Sequence, residues 1–573
     1  MKRTTSVLST NRIVFLRVVT IIVTLIVVGR LFEVSVLQHP QAVAEAKNEY
    51  SITQTVQAKR GTIYLRDLNG GSDYPVALNI DSFTVIADPF LIANAQDTAD
   101  SLAKALGTQA NQLVSKLTDK HKRFVVIQKK LDKPTADKVT QANLKGISVQ
   151  TVPSRYYPES TLASQVIGFV DANGDGKNGI EGFFNEDLKG YDGSVTGQKD
   201  AKRRIISEDD TAQPKDGTNF VLTIDHNLQF IVEQKLKQAI KDYAADSGSV
   251  VVMDVKTGAV LAMANEPDFD LNNYNTVPTD QQHVFVNSAV SESWEPGSIF
   301  KGFTLSAGMD LGLFDPNSIL DLNCSLGVNG FQIHNAEDKC YAHPSLTDVL
   351  SQSINLGTAA VADKVGNDNF ARYISAFGFG SRTGIELEPE SAGRFPDVKQ
   401  WQDVNRATIS FGQGITTTPL QMVTAYAAIA NGGKLMRPYI VAKRIEANGQ
   451  ELDTKPQEVR QVLKPQTVSQ ITGMLHDVVT NGLGKRAGVP GYEVAGKTGT
   501  AQVVGADGKY DPNAHIGSFA GFFPSNDPQF AMIVKLDKPK NVNFAESSAA
   551  PTFGEIAAWL LHYAKVPPTS PTS

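Results

Sequence analysis

Cysteine is nearly absent from this chain: two residues in 573, Cys324 and Cys340, sixteen positions apart. At most one disulfide can form, and two readings of the pair stay open. Outside the cytoplasm the two could bridge, closing a short loop worth about 3 kcal/mol in the chain-entropy model; otherwise they are buried or free thiols. Histidine is sparse too, nine residues with no His-Glu-x-x-His pair, which leaves metal hydrolysis unsupported and predicts no metal or cofactor. An excess of positive charge is also lacking, since 54 Lys and Arg face 60 Asp and Glu for a net charge of -6. With no zinc-finger spacing, RNP-like aromatic motif or Walker loop either, the sequence argues against nucleic acid as a partner. Apolar content is not short. At 41% of 573 residues it supports a large core, and a chain of this length holds roughly two to four domains.

Long apolar runs are missing with one exception. From Ile13 to Gly29 the chain is apolar apart from threonines and Arg17, and a weaker apolar trend continues to Leu37. About 20 such residues cross a bilayer, so the stretch predicts one spanning helix, with Arg17 and Arg30 near enough to its ends to snorkel. Lys2, Arg3 and Arg12 precede it. By the positive-inside tendency the short tail is cytoplasmic and everything after about residue 38 is exported. A cleaved signal peptide is the rival, because Ala42-Val43-Ala44 resembles a cleavage site. Arg30, Glu33 and the distance from that tripeptide to the apolar core favour an uncleaved anchor.

Beyond the anchor, short β-rich runs (FTVIADPF, RFVVIQ, GISVQTVP) mix with polar helical stretches such as Asp100 to Leu106, punctuated by the turn-rich DANGDGKNG. They predict an elongated α+β region with no catalytic cluster. From Asp216 the texture changes. TNFVLTI leads into an amphipathic segment, Leu228 to Tyr243, and GSVVVMDVKTGAVLAMA then reads as a hairpin around Lys256-Thr257-Gly258. A helix-rich middle runs from 298 to 435, strands return in SFAGFFPS and QFAMIVKLD, and a last helix spans Phe553 to Tyr563. Strands at both ends enclosing helices predict one α/β domain whose first and last parts share a sheet.

Glu295 to Phe303 reads EPGSIFKGF, with Ser298 three residues before Lys301. Pro-Gly ahead of an apolar run starts helices, and serine commonly caps them, so Ser-x-x-Lys alone decides nothing. Its weight comes from two motifs further along the chain, Ser353-Ile354-Asn355 and then Lys497-Thr498-Gly499-Thr500. Look-alikes exist at Ser101 to Lys104, at Ser9-Thr10-Asn11 and at Lys256-Thr257-Gly258, yet none forms an ordered set inside one domain. The ordered triple resembles the signature of penicillin-recognising serine acyltransferases.

The flanking residues extend that resemblance over most of the chain. KRGTIY, RYYPES, VIGFV, GIEGFFNEDLKG, NSAVSESWEPGSIFK, FGFGSRTGIEL, FGQGITTTPLQM, NGGKLMRP and AGKTGTAQ closely resemble class B penicillin-binding proteins, membrane-anchored D,D-transpeptidases that cross-link peptidoglycan. Glu before Pro-Gly-Ser resembles the division branch more than the elongation branch, which remains the alternative. Two departures stand out: YLRDLNGGSDYP is longer than the usual turn, and Ile299 stands where threonine is more usual.

The resemblance implies a multidomain fold: a cytoplasmic tail (1–12), a transmembrane anchor (13–37), an α+β pedestal or dimerisation-type domain (38–215), an α/β transpeptidase domain (216–565) and a disordered tail (566–573). The transpeptidase domain would be an antiparallel sheet flanked by helices, as in β-lactamases. The implied substrates are stem peptides ending in D-Ala-D-Ala, with β-lactams as covalent inhibitors. The implied partners are a membrane-embedded glycan-polymerising glycosyltransferase and other division proteins. Ser298 would be the nucleophile, activated by a neutral Lys301 whose pKa falls in a partly dry cleft beside a second lysine. Ser353 would relay a proton to the leaving nitrogen, and Asn355 would orient Lys301 and the substrate; SQSIN also reads as a polar cap for the next helix. Lys497 would supply positive potential, and Thr498 and Thr500 would bind the terminal carboxylate. Gly499 would let a peptide approach the strand edge, and the backbone N–H groups of Ser298 and Thr500 would form the oxyanion hole. FGQG (411–414) reads as a tight turn. A β-lactamase or β-lactam sensor on the same fold is a second reading, although no separate deacylating glutamate can be identified. A scaffold with an inert catalytic domain is a third.

Overall fold

The computed structural model describes residues 10–41, 43–44, 51–199, 205–505 and 509–569. The first nine residues, with Ser9 among them, Ala42 of the cleavage-like tripeptide and the last four residues lie outside the described residues. The chain forms two compact units, one of residues 1–58 and 190–216, the other of residues 59–189 and 217–573.

The first unit holds the apolar N-terminal helix, Thr10–Phe32, which runs on as a π turn over Glu33–Leu37. Asn11–Leu37 is long and apolar enough to cross a membrane, by length and composition. Several of its polar groups are satisfied locally. Thr20 and Thr24 donate to the carbonyls of Leu16 and Thr20, both at 2.8 Å, and Arg30 pairs with Glu33 at 2.6 Å. The same unit contains a three-stranded antiparallel sheet of Ser51–Val56, Gly193–Lys199 and Ile205–Ala212.

The second unit is built on two large sheets. In one, Asn219–Asp225 lies between Val441–Ile445, antiparallel, and Ile63–Arg66, parallel; Tyr74–Ala87 continues the sheet. This shared sheet draws residues 59–189 into one compact unit with the residues after 217. Glu181, fully buried, joins the same regions: it accepts from Arg60 Nε at 2.7 Å, Arg155 Nε at 2.6 Å and the Tyr157 hydroxyl at 3.2 Å. KRGTIY, RYYPES and GIEG thus meet at one carboxylate.

The other sheet carries the candidate site. Its strands are β1 (Ser247–Asp254), β2 (Val260–Glu266), β3 (Ala495–Val504), β4 (Tyr510–Phe523) and β5 (Phe530–Asp537), in the order β2-β1-β5-β4-β3, all antiparallel. The first and last parts of this region therefore do share a sheet. Both faces are covered, which is why VVVM, LAMA and AMIV read as continuous apolar runs instead of alternating. Helices α1 (His226–Tyr243) and, at the C-terminus, Ala549–Tyr563 pack on one face. On the other lie α2 (Lys301–Asp310), α3 (Leu346–Ser351), α4 (Asn355–Val365), α5 (Pro419–Ala430) and α6 (Pro465–Thr480).

Helix α2 is buried along its whole length. Its small residues permit this: a Cβ on Gly308 would come within 2.7 Å of Val361. Asp310 at its end accepts hydrogen bonds from Tyr373, from Thr467 and from the Lys464 backbone. At the C-terminus the chain is held as far as Thr569, whose N–H donates to Gly491, and Val566 is buried.

Candidate active site

The segment that presents Ser298 is pinned to residues 412–417 before it reaches the serine. Trp294 and Thr417 exchange backbone hydrogen bonds at 3.0 and 2.9 Å, and Gly297 donates to the Gly412 carbonyl at 3.0 Å. Two glycines make this approach feasible. Gly412 has φ +82°, and a Cβ there would lie 2.2 Å from the Gly297 oxygen; Gly297 itself has φ +58°. FGQG is therefore a tight turn, and it is also a wall of the site, because Phe411 and Gln413 line the cleft.

Gly297–Phe300 forms a 3-10 turn that feeds directly into α2. In a 3-10 turn residues i and i+3 eclipse one another, so Ser298 and Lys301 are brought to one side more closely than an α-helical turn would bring them. No side-chain cap bond is made at the start of this turn or of α2, so Ser298 does not serve as the ordinary cap residue. Its side chain is partly exposed in a cleft of about 250 Å³.

Lys301 is fully buried. Its Nζ lies 2.6 Å from the Ser353 carbonyl, 3.0 Å from Ser353 Oγ and 2.7 Å from Asn355 Oδ1. Burial, with the nearby charge of Lys497 adding to it, holds its pKa well below the ordinary lysine value. In these contacts Nζ donates to the Ser353 carbonyl, to the Ser353 hydroxyl and to the Asn355 amide oxygen.

Ser353 occupies an unusual backbone position, φ +58°. Its N–H donates to Leu350 and that of Ile354 to Val349, the Schellman closure of α3, in which this left-handed position usually falls to glycine. A serine here costs about 1 kcal/mol or more and presents both its carbonyl and its hydroxyl to Lys301. Asn355 opens α4 and donates to the His334 carbonyl at 3.0 Å. The expected capping of α4 by SQSIN is not found, since Ile354 at the cap makes no side-chain cap bond. Asn335 does that work from a distant loop, accepting from Leu356 N at 3.0 Å.

Across the cleft lies β3. Lys497 is fully buried, and its Nζ donates to its neighbour, the Thr498 carbonyl at 3.0 Å and hydroxyl at 3.1 Å. Burial pulls its pKa down to about 7, opposed by the negative charge of Glu546. Thr500 Oγ1 accepts from Ala545 N at 3.2 Å. Both threonine hydroxyls thus have an acceptor lone pair engaged and their own O–H free to donate to an anion. Gly499 differs from expectation. A Cβ there would meet Ser518 Oγ at 2.7 Å, Pro296 O at 2.9 Å and Ile299 Cγ2 at 3.0 Å. Its missing side chain makes room for the turn that carries Ser298, on the side away from the cleft. Ile299, buried, packs there, and its carbonyl accepts from the Tyr426 hydroxyl at 2.8 Å.

Cys324 and Cys340 are bridged, with Cα atoms 4.7 Å apart. The closed loop carries Asn335, Glu337 and Lys339, which line the cleft opposite β3. Sequence reading missed these residues, together with Gln413, Phe544 and Glu546; only the flanking cysteines hinted at the first three. The look-alike motifs stand apart. Ser101 is exposed in the helix Ala95–Leu106, and Lys256 is exposed in the β1–β2 turn, where Thr257 binds Asp254. Among the described residues no group of three or more His, Cys, Asp and Glu side chains could hold a metal ion.

Comparison with known proteins gives the family. Residues 248–558 match the penicillin binding protein transpeptidase domain, and residues 55–222 the penicillin-binding protein dimerisation domain. Stage V sporulation protein D of Bacillus subtilis is 33% identical over 97% of this chain and 86% of its own length. Peptidoglycan D,D-transpeptidase FtsI of Escherichia coli is 31% identical over 95% and 90%. Penicillin binding protein 3 of Mycobacterium tuberculosis, solved in complex with aztreonam, superposes with a TM-score of 0.70 at 29% identity, covering 91% of this chain and 99% of that one. The chain belongs to the class B penicillin-binding proteins and is a serine-type peptidoglycan D,D-transpeptidase.

Proposed function

We propose that this protein cross-links stem peptides through an acyl-enzyme on Ser298, outside the cytoplasm and at the division septum. The observation that carries the chemistry is the placement of Lys301: buried, shifted towards its neutral form, and held by Ser353 and Asn355 one 3-10 turn from Ser298. Neutral Lys301 takes the Ser298 proton as Oγ attacks the carbonyl between the two terminal D-alanines. The backbone N–H groups of Ser298 and Thr500 stabilise the oxyanion. Ser353, 3.0 Å from Lys301 Nζ, passes the proton to the departing D-alanine nitrogen. The amine of a second stem peptide then attacks the ester and releases Ser298. Thr498 and Thr500 donate to the donor peptide's terminal carboxylate, with Lys497 charged behind them.

In this reading residues 216–565 are the transpeptidase domain, and residues 38–215 a pedestal that engages a membrane-embedded glycan polymerase and other division proteins. The helix over 13–37 anchors the chain once, with its N-terminus in the cytoplasm, supported by Arg12 ahead of it. The septal assignment is supported by the resemblance of Glu295-Pro-Gly-Ser to the division branch. Fluorescent penicillin tests the chemistry: labelling should vanish in Ser298→Ala, with activity down at least about 10³-fold, and labelling that persists would sink the assignment. A tagged copy tests the place; uniform side-wall signal would count against the septum.

A further inference from the structure

Acyl transfer through Ser298 makes no direct use of Glu295, three residues before the nucleophile. Its carboxylate nevertheless joins two segments that run on from walls of the site. Oε1 accepts from Gly414 N at 2.8 Å, in the FGQG turn, and Oε2 accepts from the Tyr510 hydroxyl at 2.9 Å. Tyr510 is the first residue of β4 and pairs with Val504, the last of β3.

The ladder of this hairpin is interrupted before its far end, where pairing resumes between Val503 and Asp511 and between Val504 and Tyr510. Up to Gln502, β3 pairs residue for residue with β4, Gln502 opposite His515; the next residue, Val503, stands opposite Asp511. Such a break lets the far arm bend relative to the near one, which carries Thr498 and Thr500. A hydrogen bond to a carboxylate is among the stronger side-chain bonds, and this one fastens the far arm to the segment that presents the nucleophile. Partial burial and the neighbouring carboxylate both raise the Tyr510 pKa, which keeps its hydroxyl a donor.

We propose that Glu295 and Tyr510 form a latch that holds the β3–β4 hairpin on the nucleophile turn, and so act as positioning residues for acylation. The oxyanion donors come from two separate elements, Ser298 on the turn and Thr500 on β3. Misplacement of about 1 Å between reacting groups can cost about 100-fold in rate, so a tie that adds to the packing of Gly499 on the turn bears on the rate. The inference rests on Ser298 being the nucleophile.

The test uses the full-length chain in detergent micelles and rapid mixing with a fluorescent penicillin across a concentration series. This separates non-covalent binding from the acylation rate constant, and the final labelled fraction reports how much protein is folded. Tyr510→Phe removes the hairpin bond alone; Glu295→Ala removes both bonds. Each should slow acylation about tenfold, with non-covalent binding within about twofold of wild type and full final labelling. The double variant should be no slower than Glu295→Ala, as expected for two partners of one contact. A wild-type acylation rate in Tyr510→Phe would overturn the latch. So would a loss confined to the labelled fraction, or fully additive losses in the double variant. Ser298→Ala in the same assay separates the two ideas: labelling there refutes the nucleophile, whereas no labelling there with a wild-type rate in Tyr510→Phe refutes the latch alone.

Discussion

Glu233 gives the most quantitative test of the fold that supports the site. It lies on α1, almost fully buried, and its Oε1 accepts from Gln229 Nε2 at 2.8 Å and from Ala163 N at 2.7 Å. Gln229 in turn bonds both backbone groups of Met263 on β2, so the chain of contacts runs from the 163–167 turn to the catalytic sheet. Burial raises the Glu233 pKa from 4.5 to about 7, against the two hydrogen bonds and Lys237, while Asp268 reinforces the rise. Lys237 is itself paired with Asp268 at 2.6 Å and with Glu266 at 3.5 Å. A group whose folded pKa is raised contributes stability that is fully present below its unfolded pKa and lost as pH rises through the folded one. A shift of about 2.5 units corresponds to about 3 kcal/mol, withdrawn between about pH 4.5 and pH 7. Glu233→Gln removes the titration and keeps an oxygen acceptor. The melting-temperature difference between variant and wild type should therefore move in the variant's favour by about 3 °C or more from pH 5 to pH 8, whatever its offset at pH 5. Scanning fluorimetry of both proteins in the same buffers measures it, and the difference cancels every other titrating group. A pH-independent difference would refute the reasoning, because Glu233 would then not be titrating in the folded protein.

Acylation by penicillin should lose efficiency above about pH 7, where Lys497 gives up the proton that helps to hold the ligand carboxylate, and at low pH, where Lys301 gains one; a profile still rising at pH 9 would exclude the Lys497 role. Gly499→Ala should destabilise the protein by about 1–3 kcal/mol and slow acylation together, since its Cβ would press on Pro296 and Ile299 behind Ser298; an unchanged melting temperature would show that the strand can shift freely. Replacing both Cys324 and Cys340 by serine should cost about 3 kcal/mol in the chain-entropy model and slow acylation modestly by loosening the wall that bears Asn335; retention of the wild-type melting temperature would contradict it.

Ser298 and Lys301 were legible because their relation is local: a spacing of three on one turn puts both side chains on one side. Ser353, Asn355 and Lys497 to Thr500 were legible only through order and resemblance, since no local rule links residues that stand 52 or more positions from their partner. The reason for Gly499 was misread, because a strand sequence does not say which face meets a neighbouring turn. Asn335 could not be read as the cap of α4, since the contact joins residues 21 positions apart through a loop. The left-handed backbone of Ser353 was hidden for a related reason: serine does not announce a position that glycine usually fills.

By itself the sequence determined the apolar N-terminal helix, the runs that become buried strands and the placing of Ser298 and Lys301 on one turn, because burial periodicity and turn geometry act over a few residues. Tertiary structure alone decided that residues 59–189 join the catalytic unit through a shared sheet, that the cysteines bridge and that Glu181 gathers three distant motifs. It alone also decided that Lys301 and Lys497 are desolvated close together and so shifted towards their neutral forms. A pKa depends on what surrounds a group in three dimensions, and that is set only when distant segments pack.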